Sequence, residues 1–123
     1  MQRTYGLIGA ISGFIAVATG AFGAHGLRQM VTPEHLATWE TAARYQMYHA
    51  LALLAVAMLA EGPGAGPARW AGRLFILGTV LFSGSLYALV LSNNSRLGII
   101  TPFGGVAFLA GWVALALAIT RRP

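Results

Sequence analysis

Of 123 residues, 57% are apolar before glycine is counted, a further 16 are glycine, and only 9% carry charge. Soluble domains are about 45–50% apolar with glycine included, and disordered chains are poorer still, so both classes are excluded and a membrane is indicated. The net charge of +5 comes from scattered arginines with no basic stripe or interleaved aromatics, which excludes nucleic acid as a partner and leaves membrane lipids.

A helix crossing a bilayer core of about 30 Å needs about 20 apolar residues. Four stretches are candidates: residues 5–24, 46–60, 71–91 and 100–120. The expected fold is therefore all-α, an integral membrane four-helix bundle forming one domain over residues 1–123. On the first span, Gly6, Gly9, Gly13, Ala16, Gly20 and Gly23 follow each other at intervals of three and four. Small residues at that spacing let helix backbones approach closely, so this stripe is expected to pack on other helices. Arg3 and Ala21-Phe22-Gly23 give residues 1–23 some features of a signal peptide. The apolar run is longer than a usual signal core, and it is read as a span.

The second span is short but extends back through residues 33–45 as one helix. Thr32 suits its N-cap, Pro33 its first turn, and Glu34 the positive end of its dipole. On this lead-in Glu40 precedes Arg44 by four residues, the favourable order for a helical pair. Residues 61–67, Glu-Gly-Pro-Gly-Ala-Gly-Pro, form a breaker loop, and residues 92–96 a polar turn. The third span carries Ser83, Ser85 and Tyr87, and serines in a helix commonly bond a carbonyl one turn back. On the fourth, Gly104, Ala107, Gly111, Ala114 and Ala118 repeat the small-residue stripe. Tyr5, Trp70, Tyr87 and Trp112 are candidate interfacial anchors, and Trp39 is expected at headgroup level.

Arg3, Arg69, Arg73, Arg121 and Arg122 fall on one side of the four spans, and Arg28, Arg44 and Arg96 on the other. The positive-inside rule then places both termini and the 61–67 loop in the cytoplasm.

The unusual side chains gather at the opposite end: His25, Glu40, Thr41, Arg44, Tyr45, Gln46, Tyr48 and His49. His25 and His49 are expected at similar depth near the non-cytoplasmic boundary. The chain has no cysteine, which excludes thiolate metal sites, disulfides and cysteine nucleophiles. It contains none of the metalloprotease, esterase-elbow or P-loop patterns. Two histidines without an acid at fixed spacing do not make a metal or haem site. The expectation is a non-enzymatic protein with no cofactor. Its polar cluster either pins the lead-in helix to the first span or binds a lipid headgroup or small solute. Two small-residue stripes also suggest self-association. The alternative is an oligomeric transporter or channel, with Ser83, Ser85, Tyr87 and Thr101 lining a narrow polar path. Glu34, Glu40 and Glu61 lie outside the apolar runs, which argues against export coupled to a buried acid.

Four segments together resemble the DUF423 family of small bacterial inner-membrane proteins, related to the transmembrane protein 256 family. They are Gly-Ala-Phe-Gly-Ala-His-Gly-Leu (20–27), Tyr-Gln-Met-Tyr-His-Ala-Leu-Ala-Leu-Leu (45–54), Leu-Phe-Ser-Gly-Ser-Leu-Tyr-Ala-Leu (81–89), and Ile-Thr-Pro-Phe-Gly-Gly (100–105) with Gly-Trp (111–112). The resemblance covers nearly the whole chain in order. It implies a four-span inner-membrane protein without an assigned activity. His25, His49, Ser83, Tyr87, Thr101 and Pro102 fall on its motif positions.

Overall fold

A computed structural model describes residues 2–123, and among them only helices and turns occur. Helix α1 covers Gln2–Ala24, a 3₁₀ turn follows at Leu27–Gln29, and α2 covers Pro33–Leu59. Helix α3 (Ala65–Gly78), a π turn (Thr79–Ser83) and α4 (Gly84–Ser92) form one continuous rod. A 3₁₀ turn at Ser95–Ile99 leads into α5, Thr101–Thr120. The first turn of α2 forms as its sequence dictates, with Thr32 Oγ1 accepting from the His35 amide at 3.2 Å and Pro33 inside the helix. Gly62 and Gly64 take φ of 76° and 82° between α2 and α3, a region that glycine enters without steric cost. Gly64 also abuts the Ala118 carbonyl, so the loop closes directly on α5.

Among the described residues, three rods are long and apolar enough to cross a membrane: Gln2–Ala24, Ala65–Ser92 and Ser95–Thr120. Helix α2 carries Glu34, Glu40, Arg44, Gln46 and His49 and is the more polar fourth rod. It runs antiparallel along α1, with Ala57 beside Gly6, Ala50 and Leu53 against Gly9, and Trp39 against Gly23.

In cross-section α2 and the α3–α4 rod share the centre, α1 packs on α2, and α5 packs on α3 and the π turn. The main core joins Tyr5, Leu53, Val56, Phe75, Phe108 and Leu115, and a smaller one joins Leu27, Trp39 and Val90. Both small-residue stripes are used inside the chain. Gly104 backs onto the Phe82 backbone and Gly111 onto the Phe75 ring.

The stripe on α1 is narrower than its sequence spacing suggests. Its buried residues are Tyr5, Gly9, Ser12, Ala16 and Gly23, which share one helical face. Gly6, Gly13 and Gly20 lie at the edge of that face. Gly6 makes one ordinary contact, Gly13 is loosely flanked by Ala50 and Met47, and a Cβ at Gly20 would meet nothing within 4 Å. Close approach also occurs where the sequence reading did not place it, at Gly72 under the Tyr5 ring and Gly78 under Phe108.

Candidate functional site

Buried hydroxyl, amide and imidazole groups in an apolar medium must find partners, because leaving one unpaired is costly. Here the partners come from neighbouring rods. Gln46 is buried on α2. Its Nε2 donates to Ser12 Oγ and the Ser12 carbonyl at 3.2 and 3.3 Å, and its Oε1 accepts from Tyr87 Oη at 2.7 Å. Tyr87 Oη also lies 2.9 Å from Thr19 Oγ1, and the Thr19 carbonyl accepts from Trp39 Nε1 at 2.7 Å. One chain of bonds therefore ties α1, α2 and α4 together.

The other polar residues of the third rod pair separately. Ser83 Oγ donates to the Ala42 carbonyl on α2 at 2.8 Å, and Ser85 Oγ lies 2.6 Å from Thr101 Oγ1 on α5. Ser83 thus points to Ala42, Ser85 and Thr101 to each other, and Tyr87 to Gln46 and Thr19, so the four do not form a file.

His49 occupies an aromatic box. Its ring stacks on Phe108 with centroids 3.5 Å apart and planes 5° off parallel, and Phe75 and Trp112 close two further sides. Trp112 Nε1 can only donate, so its 3.1 Å contact makes His49 Nε2 the acceptor. Nδ1 then carries the proton and donates to the Tyr45 carbonyl at 2.6 Å. Both ring nitrogens are engaged, and neither is open to a metal or to a proton-transfer partner.

His25 is far from this box. It is exposed in the turn after α1, whereas His49 is one residue from Ala50, which packs on Gly9 and Gly13. From Gly13 to His25 the helix rises about 18 Å. The expectation of similar depth is therefore overturned. The lead-in packs along α1 from Trp39 onward, which carries His49 down to the middle of the bundle. Glu40 and Arg44 are exposed, and among the described residues no ion pair joins them. Among the same residues, no three of His, Cys, Asp or Glu gather as a metal-binding group.

Between α2 and α5 the bundle opens into an apolar groove of about 760 Å³. Tyr45, Tyr48, Phe82, Pro102, Leu109 and Trp112 line it, with the His49 and Phe108 rings at its floor. Tyr45 rests on Phe82 with centroids 4.9 Å apart and on Tyr48 at 5.5 Å. The groove offers aromatic faces, aliphatic walls and two phenols.

Several partners escaped the sequence reading. Ser12 and Thr19, seven residues apart on the packed face of α1, are small hydroxyls with no obvious signal. Trp39 was expected at headgroup level, but it is 4% exposed and held by Thr19. Trp112, a candidate interfacial anchor, is 46% exposed on the groove and bonds His49 from there. Tyr5 is buried, donating to the Arg69 carbonyl at 3.0 Å. Trp70 is exposed beneath the Arg73 guanidinium, 4.9 Å from its ring.

A profile of the family described as "Protein of unknown function (DUF423)" matches residues 19–105. A UPF0382 membrane protein of Staphylococcus aureus (strain bovine RF122 / ET3-1) is 48% identical over 117 residues, covering 95% of each chain. The UPF0382 membrane protein YwdK of Bacillus subtilis (strain 168) is 46% identical over 121 residues, covering 98% of each. No solved structure matches. A profile match spanning most of the residues, with near-full-length bacterial relatives named as membrane proteins, shows that the chain is a membrane protein belonging to the DUF423 family.

Proposed function

We propose that this chain is a non-enzymatic module of the bacterial cytoplasmic membrane that crosses it four times with both termini inside. On this reading it binds the hydrocarbon chain of a lipid in the groove between α2 and α5. A fourth crossing is supported by the position of α2, whose residues from Trp39 to Ala57 lie level with α1 from Gly23 to Gly6. The orientation is supported by the arginine excess at the end holding Arg3, Arg69, Arg73, Arg121 and Arg122.

The observation that carries the binding role is the groove itself. Its lining on α5 runs from Pro102 to Trp112, about 15 Å along the helix, parallel to neighbouring acyl chains. The buried polar groups around it are turned to each other, so its wall selects for apolar contact. Self-association has less support, because Gly9, Gly23, Gly104 and Gly111 are occupied by contacts within one chain. The transport alternative has less support too, since its four path residues are closed into separate pairs.

Gly105 lines the groove, and a Cβ there would meet nothing within 4 Å. Gly105→Leu therefore projects an aliphatic side chain into the groove from a Cβ position that meets no neighbour. Native mass spectrometry of the variant is expected to show one fewer retained lipid per chain, with the thermal transition unchanged. Unchanged lipid retention in a folded variant would overturn the role.

A further inference from the structure

Glu40, Arg44, Tyr48 and Leu51 are spaced four, four and three residues apart on α2, so they share one helical face. Tyr48 and Leu51 line the groove. Arg44 and Glu40 continue the same face beyond its upper end, and both are exposed. Because Ala50 packs on Gly9 and Trp39 on Gly23, Arg44 lies between those levels, within the apolar belt of α1. Glu40 lies one turn nearer the membrane surface.

A guanidinium at that depth on a lipid-facing surface is costly unless its long side chain reaches a headgroup. The carboxylate one turn above is exposed on the same face and offers an acceptor to a cation. The order of charges on this face is therefore apolar groove, then cation, then anion, with the charged residues about 5–6 Å apart at Cβ. A phospholipid bearing a primary ammonium presents the complementary order: acyl chain, phosphate, then ammonium across a short ethanolamine bridge.

We propose that the groove takes a phosphatidylethanolamine-type lipid, with its phosphate on Arg44 and its ammonium on Glu40. This assignment rests on the groove binding an acyl chain. It also sets what the site disfavours. Phosphatidylglycerol brings no cation to Glu40. Phosphatidylcholine brings a quaternary ammonium that has no N–H to donate to the carboxylate.

The test is competition in nanodiscs holding equal amounts of the three lipids with matched chains, read as lipid retained per protein by native mass spectrometry. The wild-type chain is expected to favour phosphatidylethanolamine over phosphatidylglycerol by about five-fold, the weight of one charge at a lipid surface, and over phosphatidylcholine through the N–H donors that the quaternary ammonium lacks. Glu40→Gln should erase that preference while leaving total retention in place. Arg44→Gln should lower retention of all three. Equal retention of the three lipids by the wild type, or an unaltered ranking in Glu40→Gln, would overturn the headgroup assignment. Gly105→Leu separates the two claims. If it displaces lipid while the wild type shows no headgroup preference, the groove stands and this assignment fails. If it keeps both retention and preference, the groove reading fails and the charge pair acts alone.

Discussion

Gln46 shows how a single amide can organise three rods. Its two ends are oriented by the Ser12 carbonyl, which can only accept and so faces Nε2, leaving Oε1 to accept from Tyr87 Oη. Tyr87→Phe should strip Oε1 of its donor and cost about 1 kcal/mol, the scale of hydrogen bonds between membrane helices. Gln46→Leu combined with Tyr87→Phe should cost less than the sum of the two, because they break one shared bond. Denaturation in mixed detergent micelles would measure both, and strict additivity would contradict the linkage. At His49 the geometry specifies a neutral ring protonated on Nδ1. Nitrogen NMR of labelled histidine should show that tautomer in wild type, with the Nε2 resonance moving in Trp112→Phe. Gln46, His49 and Tyr87 were legible in the sequence because polar groups stand out in apolar runs. Ser12 and Thr19 were not, since small hydroxyls can satisfy themselves on their own helix. The bond from Trp112 was not legible either, because tryptophan is common at interfaces, and nothing local marks one that faces a histidine on another rod.

At the level of helices, glycine spacing identified the right faces but not their limits. Positions 9, 16 and 23 repeat every seven residues on the buried face, and positions 6, 13 and 20 repeat beside them, so the first series is covered while the second falls at the margin. Gly20→Ala should leave stability unchanged or raise it by up to about 1 kcal/mol, the helix-propensity difference. Gly104→Ala would drive a methyl into the Phe82 backbone and should destabilise the bundle outright. Comparing thermal transitions of the two variants checks the assignment, and equal behaviour would contradict it. The start of α2 was fully legible, because Thr32, Pro33 and Glu34 give local instructions. The π turn at Thr79–Ser83 was not. It contains no breaker, and its geometry accommodates contacts made elsewhere: Ser83 on Ala42 and Phe82 on Gly104.

At the scale of the whole molecule, the proposed orientation is open to direct labelling because the native chain has no cysteine. Gln29→Cys and Ser95→Cys should react with an impermeant maleimide in intact spheroplasts. Pro63→Cys should react only after lysis. The opposite pattern would invert the topology, and labelling of all three would indicate both orientations. The number of rods was legible from composition, but their levels were not, because the overlap of α1 with α2 sets the depth of every residue in the lead-in. The cross-section carries one further consequence. Helices α1 and α2 are zipped by close packing over Gly9 and Gly23, and α3 to α5 likewise over Gly78, Gly104 and Gly111. Between these two hairpins, the bonds from Tyr87 to Gln46, Ser83 to Ala42, Trp112 to His49 and Tyr5 to Arg69 act as a polar seam. The chain is thus divisible at its Gly/Pro loop. Residues 1–62 and 63–123, expressed as separate fragments, should each insert and then find one another in the bilayer by matching those four bonds, a molecule assembled from two parts that need no covalent link.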